Sequence, residues 1–551
     1  MKRIKKILIV LAILLVGGWL TGKLLMAMWT AKPPPLPADV SIMQAQPETR
    51  DGKTWLGQSW VSKRDGLPII RLKGSPFEMG YASGKLLQAE METLENEFLA
   101  MIHGYVPQEW KIKILKGYVM YRNRKLSNYV SLEDRQQILG IVLGCKDPHP
   151  EQGNYYNRML NYHAAHDISY MMIDNPLISK AGCTAFGAWG GATENGHLIT
   201  GRNFDWEAAD VFSRDRIVIM CEPNDGIPFI SVAWASMAGV VSGMNRAGVS
   251  ITINGAPSSL PGETASPVAM VARDVLQKAH NLTNALDIIR NTRVFVSTLW
   301  LIGSKADGKF VVVEKTPKAM NVREPEGDSI VSANHFQTEK LKDDDRNLRY
   351  IQEATSTPRY ARMSELIQTN RGAINASRTA AMLRDRLLPG GAFAGNGHRA
   401  TLNALIATHA TMMDLTEGIF WAATPPNQLG KFVAFDVNDF DRELPALTIA
   451  ADPMLASGEF EKAKIAHQAL IEGRRALKKG DGSTALAAAE KAEANNPGFY
   501  QNADLKGRAL LLLNRNAEGI QALQAALAAQ PAFQSEKADT ESLLKQAQGT
   551  K

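Results

Sequence analysis

A two-residue turn in the middle of the chain, Asn195-Gly196, constrains the fold more than any other short segment. Asn-Gly is the pair that tight β-hairpins favour, and the residues on either side of it read as two antiparallel strands. Cys183 begins the first strand, and Arg202 and Asp205 follow the end of the second. The hairpin therefore predicts that this guanidinium and this carboxylate lie close to the thiol.

The thiol of Cys183 follows a glycine, and this pair suggests a nucleophile that the protein exposes by cleaving its own backbone. A thiol attacks a carbonyl as the thiolate, and an unperturbed cysteine has a pKa of about 8.5, so another group has to take the proton. Cleavage between Gly182 and Cys183 would create an α-amine, with a pKa of roughly 7.7–8.0, beside the sulfur. The missing Cβ of Gly182 lets the scissile bond be approached closely. The alternative is a small buried cysteine without a chemical role.

The two charged residues after the hairpin have a role in the same chemistry. Arg202 can lower the pKa of the thiol, and Asp205 can orient the new ammonium group. The alternative is a surface ion pair, which contributes roughly 0–1 kcal/mol to stability.

Several motifs together resemble a known family. Gly-Cys-Thr at 182–184 and Gly-Arg-Asn-Phe-Asp-Trp at 201–206 resemble the N-terminal nucleophile (Ntn) cysteine hydrolases, which include acyl-CoA:isopenicillin N acyltransferase, bile salt hydrolases, penicillin V acylases and acid ceramidase. Lys-Gly-Ser-Pro-Phe-Glu-Met-Gly at 73–80 and Gly-Lys-Leu at 84–86 resemble the upstream motif of the acyltransferase-like (peptidase C45-like) branch. The resemblance covers roughly residues 55–440 and implies an α+β fold, a four-layer αββα sandwich.

The resemblance also implies three further site residues. Asn254, at the end of a predicted strand, and Asn334, in Ser-Ala-Asn-His-Phe, take the places of two asparagines that form an oxyanion hole. Arg359 takes the place of a downstream arginine. Taken alone, such asparagines are turn residues and such an arginine lies on a solvated helix face. The alternatives to Arg359 are Arg346, Arg349 and Arg362.

We expect no metal or cofactor. His163 and His166 lack the spacing of two ligands one helical turn apart, and no third ligand follows. The run 343–345 of three aspartates lacks the alternating ligands of a calcium loop. A net charge of +6 is small for 551 residues and does not indicate nucleic-acid binding. Three cysteines are too few for a disulfide scaffold.

The N-terminus predicts a membrane anchor in residues 1–31. Four basic residues precede an apolar stretch, 7–29, that is close to the ~20 residues needed to span a bilayer. The basic residues predict a cytoplasmic N-terminus and an exported body, on the periplasmic side of a bacterial inner membrane. Because no Ala-x-Ala cleavage site follows, we favour an uncleaved anchor over a signal peptide. A proline-rich linker, 32–54, would hold the rest of the chain off the membrane.

The last part of the chain, 456–551, predicts helical repeats. Asn-Pro-Gly-Phe at 496–499 and Gln-Pro-Ala-Phe at 530–533 recur after 34 residues, the period of tetratricopeptide repeats (TPR). Such repeats would recruit a protein partner. The alternative is a plain helical extension that packs on the preceding domain.

These patterns, with the resemblance, predict three functional parts: a pro-segment, 55–182, that becomes a separate subunit; a core, 183–455; and the repeats. The activity that the resemblance implies is hydrolysis of a linear amide (an N-acyl amide, a lipid-like amide or a peptide) through an acyl-enzyme on Cys183. An acyltransferase would use the same acyl-enzyme, and an ester hydrolase the same site. Acyl-CoA is scarce outside the cytoplasm, so we favour hydrolysis. The alternative from another class is a non-catalytic scaffold that carries TPR repeats.

Overall fold

The computed structural model describes residues 22, 24–165, 167, 182–207, 210–235, 237–259 and 262–549. Most of the predicted anchor and His166 lie outside these ranges. Within them, the structure has no helix that is long and apolar enough to span a membrane. The anchor therefore stays a prediction.

Two β-sheets form the centre of the described chain. The first has eleven strands in the order β1-β2-β3-β4-β7-β8-β9-β10-β11-β12-β13, and the second has six in the order β14-β5-β6-β15-β16-β17. The first sheet consists of β1 (Glu48–Arg50), β2 (Lys53–Leu56), β3 (Ser59–Arg64), β4 (Leu67–Gly74), β7 (Ile217–Pro223), β8 (Phe229–Ala233), β9 (Ser242–Asn245), β10 (Val249–Gly255), β11 (Thr298–Ser304), β12 (Lys309–Lys315) and β13 (Met320–Arg323). The second consists of β5 (Thr184–Gly190), β6 (Gly196–Asp205), β14 (Ser329–Ser332), β15 (Ala407–Asp414), β16 (Ile419–Ala423) and β17 (Phe432–Asp436).

Helices cover both outer faces and form the C-terminal part. The α-helices are α1 (Pro76–Leu86), α2 (Gln88–Tyr105), α3 (Glu109–Arg122), α4 (Leu132–Gly144), α5 (Tyr155–Tyr162), α6 (Val211–Arg214), α7 (Val268–Lys278), α8 (Leu282–Asn291), α9 (Asp345–Glu353), α10 (Ser356–Thr369), α11 (Ala376–Leu383), α12 (Pro453–Ala456), α13 (Glu459–Lys478), α14 (Gly482–Asn495), α15 (Tyr500–Leu512), α16 (Asn516–Ala528) and α17 (Gln534–Gly549). Short 3-10 helices lie at Ser41–Gln44, Leu126–Tyr129, Pro150–Gln152, Pro389–Gly391 and Pro445–Leu447.

Helices pack on one face of each sheet, and the two sheets pack against each other. Side chains alternate along each central strand, and both faces of these strands are apolar because both are buried. In β11, for example, Leu299 and Leu301 point into the layer between the sheets, where they join Phe420 of the second sheet. Trp300, between them, faces the helical layer of the first sheet, and Met412 of β15 faces the helices on the other side. The chain is thus a mixed α/β sandwich with C-terminal helices.

The predicted hairpin is present, but its turn is longer than expected. β5 ends at Gly190 and β6 begins at Gly196, so residues 191–195 make the connection. The chain already turns at Gly190, where φ is +52°, and Glu194 then donates its backbone N–H to Ile374. Strand β6 also runs through to Asp205, because β15 pairs along its other edge.

The upstream glycine motif has a structural role. Gly80 and Gly84 of α1 lie against α4, where a Cβ on either glycine would come within 2.0 or 2.2 Å of the backbone oxygens of Gln137 and Ile141. Glycine is thus required for this close helix crossing. The sheet itself begins at Glu48, inside the predicted linker, so the linker is shorter than expected.

Candidate active site

Cys183 lies immediately before β5 and is only 1% exposed. The backbone N–H of Gly182 donates to the carbonyl of Asp205 over 2.9 Å, which fixes the peptide that precedes the thiol. Burial raises the pKa of the Cys183 thiol, while the charges of Arg202 and Arg359 oppose this effect. The thiol is therefore protonated at neutral pH and needs a base before it can attack a carbonyl.

Arg202 lies beside the sulfur, as the hairpin predicts. Its Nη2 atom donates to Cys183 Sγ over 3.8 Å, and the same nitrogen also donates to the carbonyl of Ile253. Its Nη1 atom lies 3.2 Å from His409 Nε2 and also contacts the hydroxyl of Ser242. The guanidinium is completely buried and is held from several sides, so it presents a fixed positive charge to the thiol.

Asp205 is the carboxylate of the site, and it is also buried. Burial raises its pKa to about 7, against the opposing charges of Arg359, Arg399 and Arg202. Within the part of the chain that the structure describes, its Oδ1 atom has no hydrogen-bond partner. This oxygen is available to accept a hydrogen bond from an ammonium group formed at Cys183.

Arg359 connects the cysteine to one of the asparagines. Its Nη1 atom donates to the carbonyl of Cys183 over 2.5 Å and to Thr184 Oγ1 over 2.6 Å. Its Nη2 atom donates to Asn334 Oδ1 over 2.8 Å. A Cβ on Gly182 would lie 3.2 Å from the same nitrogen. The resemblance therefore selected an arginine that contacts the site.

The three alternative arginines have other surroundings. Arg346 donates to the carbonyl of Ser258 over 3.1 Å. Arg362 forms an ion pair of 2.9 Å with Asp385, and Arg349 is exposed. None of these contacts involves Cys183.

The two asparagines lie together at the ends of β10 and β14, but their amide groups differ. Asn254 Nδ2 donates to the carbonyls of Ser332 and Ala333 over 3.1 and 3.0 Å, so both of its amide hydrogens hold the end of β14, in the other sheet. Asn334 Nδ2 donates to the carbonyl of Gly255 over 2.9 Å, which uses one of its two hydrogens. The backbone N–H of Asn254 faces β11, where the register pairs this residue with Leu299, so in this arrangement Asn254 offers no hydrogen to an oxyanion, unlike the predicted role. Asn334 retains a side-chain hydrogen for this purpose.

Sequence reasoning missed several side chains that support the site. His409, in β15, is buried beside Arg202 and Ser242, and burial and the two nearby arginines hold its pKa well below the usual range. The ring is therefore neutral and can accept a hydrogen bond from the guanidinium. Ser356 Oγ accepts from the backbone N–H of Asn334 over 2.8 Å. No local motif marks these residues, which come from distant parts of the chain.

A cavity of about 130 Å³ adjoins Cys183 and Asp205. The segment before the cysteine contributes Met91 and Phe98 from α2 and Met159 from α5, and the core contributes aromatic side chains. Most of the wall is apolar. The core's aromatic side chains in the wall are Phe204, Trp206, Phe212 and Trp234.

Two further polar groups in the cavity wall, Glu95 and His163, are held by other residues. Glu95 accepts from Arg158 Nε over 2.6 Å and from the hydroxyl of Tyr162 over 2.7 Å. His163 Nε2 accepts from the backbone N–H of Ala238 over 2.9 Å, so its Nδ1 carries the hydrogen that reaches the carbonyl of Met159. Both nitrogens of His163 thus have structural partners. The three cysteines are all free thiols.

Comparisons with known proteins relate the middle of the chain to enzymes. Residues 192–411 match the family model of acyl-coenzyme A:6-aminopenicillanic acid acyl-transferase. A protein of Archaeoglobus fulgidus without an assigned function is 29% identical over 259 residues, which cover 44% of this chain and 42% of that protein. The N-acylethanolamine-hydrolyzing acid amidase of Caenorhabditis elegans is 24% identical over 262 residues, 45% of this chain and 69% of the amidase.

Among solved structures, a conjugated bile acid hydrolase from Clostridium perfringens is similar with a TM-score of 0.33 and 17% identity, over 48% of this chain and 95% of that one. The chain spans about half the length of the first curated relatives that it matches. The central part of this chain is related to enzymes that transfer acyl groups or hydrolyse amides.

Proposed function

We propose that this protein is a self-processing cysteine amidohydrolase of the Ntn type, which cleaves an N-acyl amide through an acyl-enzyme on Cys183. The observation that carries the proposal is the convergence of three groups on one buried position. They are a thiol, a fixed guanidinium 3.8 Å from it, and a carboxylate whose Oδ1 lacks a partner among the described residues. A non-catalytic scaffold does not require a buried carboxylate with a pKa near 7 beside a buried thiol.

Self-cleavage would begin with attack of Cys183 Sγ on the carbonyl carbon of Gly182. The C–N bond breaks, a thioester forms between Gly182 and the sulfur, and the proton from the thiol ends on the Cys183 nitrogen. Water then hydrolyses the thioester and restores the thiol. Arg359 packs against Gly182 and donates to the carbonyl of Cys183, so it holds the peptide in place for this step.

The new α-amine of Cys183 then serves as the base for amide hydrolysis. It takes the thiol proton, the thiolate attacks the substrate carbonyl, and the ammonium returns the proton to the departing amine. Asp205 Oδ1 would accept a hydrogen bond from this ammonium. Asn334 Nδ2 would stabilise the oxyanion, and such a donor commonly contributes about 3 kcal/mol. Asn254 would hold the carbonyls of Ser332 and Ala333 beside it. Water then releases the acyl group and regenerates the thiol.

The cavity favours a lipid-like acyl group over a peptide. Methionine and aromatic side chains form most of the wall next to Cys183, and burying a CH₂ group there stabilises binding by about 0.8 kcal/mol. The C. elegans relative is named for hydrolysis of N-acylethanolamines, which agrees with this preference. An acyltransferase would use the same cavity and differ only in the acceptor of the acyl group. The predicted anchor in residues 1–31 would place the activity at the periplasmic side of a bacterial inner membrane.

Intact-mass analysis of the purified full chain tests the proposal. We expect two fragments, 1–182 and 183–551, with Cys183 at the start of the larger. Cys183→Ala should remain one chain, and Cys183→Ser should process more slowly because a hydroxyl is the weaker nucleophile. A single intact wild-type chain whose thiol does not react would overturn the mechanism.

Substrate assays complete the test. The processed protein should hydrolyse an N-acyl amide with about six acyl carbons faster than the corresponding acetyl amide, because the wall is apolar. Adding an amine acceptor separates the two activities. Formation of a new amide at the expense of free acid would show an acyltransferase.

A further inference from the structure

The C-terminal helices contact the core at several places, including an ion pair between Arg386 and Glu459 and an apolar cluster of Leu429 with Ala463. One further contact is a loop close to the active site. This loop, residues 394–401, is part of the connection between α11 and β15. The backbone N–H of Asn396 donates to Asn496 Oδ1 over 2.8 Å, and Asn496 Nδ2 donates back to the carbonyl of Asn396 over 2.9 Å. Gly395 adopts a φ of +86°, and a Cβ there would lie 2.7 Å from Phe499 Cβ. The backbone of Gly395 thus packs directly against the side chain of Phe499.

His398 continues the contact and is nearly completely buried. Its Nδ1 accepts from the backbone N–H of Ala400 over 3.2 Å, so Nε2 carries the hydrogen that reaches the carbonyl of Gln530 over 2.9 Å. The ring packs edge-on against Tyr500, with the centroids 5.3 Å apart. Both nitrogens are used by the neutral ring, and burial lowers the pKa of His398, which keeps it neutral.

These contacts come from the two turns of the 34-residue repeat. The first turn, 496–499, supplies Asn496 and Phe499, and the second, 530–533, supplies the carbonyl of Gln530 and the ring of Phe533. The first and last positions of each turn therefore contact the loop: the first turn contacts residues 395–396, and the second contacts residues 398–399. Asn496, Phe499 and Phe533 are buried in this contact, so a protein partner would have to bind another face of the helices.

The next residue of the loop, Arg399, extends to the end of β6, the strand that carries Asp205. Its guanidinium lies 5.9 Å from the ring of Phe533 and forms an ion pair with Glu207, two residues after Asp205. The Arg399 side chain is only 10% exposed. Its positive charge acts on Asp205 and favours the carboxylate form.

We propose that the two repeat turns are part of the catalytic unit: they hold the loop 394–401 so that Arg399 is a positioning residue for Asp205. The proposal rests on the proposed function, in which Asp205 holds the Cys183 ammonium. The charged groups that act on Asp205 are Arg359, Arg399 and Arg202, and the neutral, titratable thiol of Cys183 lies beside them.

The sign of the effect follows from these charges. Burial already raises the pKa of Asp205 to about 7, and Arg399 opposes the rise. Without this guanidinium, the carboxylate form would require a higher pH, so the acidic limb of the pH–rate profile would move upward. A charge pair in direct contact shifts a carboxyl pKa by about 1–3 units, and we expect a smaller effect here, about half a unit to one unit.

The first test compares Arg399→Gln and Arg399→Lys in the full chain. The pH dependence of N-acyl amide hydrolysis should shift upward in R399Q and return in R399K, which keeps the charge. A pH profile of R399Q that coincides with that of the wild type would overturn the positioning role.

The second test uses Asn496→Ala, with the exposed Leu512→Ala of α15 as the control. Amide hydrogen exchange in 394–401 should accelerate at least tenfold in N496A and not in L512A, and the pH profile of N496A should shift in the direction of R399Q. Unchanged exchange in N496A would overturn the docking of the loop even if the enzyme is active. Failure of the wild type to process would instead overturn the proposed function, because exchange reports the docking without activity.

Discussion

Asp205→Asn should stabilise the folded protein at neutral and alkaline pH while it removes activity. Burial raises the pKa of Asp205 from the ordinary 3.8 to about 7. The folded state therefore binds the proton more tightly than the unfolded state does, and stability falls as the pH rises through this window, from about 4 to about 7. At about 1.36 kcal/mol for each pH unit, the difference corresponds to about 4 kcal/mol at pH 8. Asparagine has the shape of the protonated acid and carries no charge, so it avoids this loss.

The measurement is urea unfolding of D205N and its parent at pH 4 and pH 8. Both proteins should carry Cys183→Ala, so that the chain stays intact. The free energy of unfolding of D205N, minus that of its parent, should be about 4 kcal/mol larger at pH 8 than at pH 4. If this difference in the free energy of unfolding were the same at both pH values, the raised pKa of Asp205 would be refuted, and with it the electrostatic account of the site. In the Cys183 background, D205N should not hold the ammonium group, so amide hydrolysis should fall by at least tenfold.

Three further substitutions test the geometry. Gly182→Ala places a Cβ 3.2 Å from Arg359 and should disturb one charge-assisted hydrogen bond, worth about 1.5–3 kcal/mol. Self-cleavage, followed on a gel time course, should therefore slow ten- to hundredfold. The control is Gly104→Ala, because a Cβ at Gly104 has no atom within 4 Å. Arg359→Lys should slow processing because lysine cannot reach the three acceptors with a planar fork, whereas Arg362→Lys should not. Gly84→Ala should lower the free energy of unfolding by about 1–3 kcal/mol, because its Cβ would lie 2.2 Å from the oxygen of Ile141; normal stability would contradict the required helix crossing.

The sequence predicts the parts of the site that depend on short segments. The hairpin brings Arg202 to Cys183 because the pairing of two adjacent strands is a local property, although the connection between them is longer than Asn195-Gly196 indicates. Arg359 could be chosen among four arginines only through resemblance, since each has the pattern of a helix-face residue.

The remaining parts depend on contacts between distant segments. His409 and Arg399 enter the site from a strand and a loop about 200 residues after the hairpin, and neither belongs to a motif. The side-chain amide of Asn254 holds the carbonyls at 332–333, a detail of two strand ends that meet only in the fold. The cavity also depends on contacts between distant segments, because helices before Cys183 and residues after it together form its wall.

This shared wall leads to a prediction for the segment before Cys183. Strand β4 pairs in parallel with β7, so residues on both sides of the proposed cleavage site belong to one sheet, with Ile70 opposite Ile219. Met91 and Phe98 of the same segment line the cavity. After cleavage, the segment should therefore remain as a subunit. The two fragments should co-elute in size-exclusion chromatography under native conditions and separate only in denaturant. Native separation with activity retained by the larger fragment would contradict the shared sheet and the shared wall, because the larger fragment alone would lack β1–β4 and one side of its cavity.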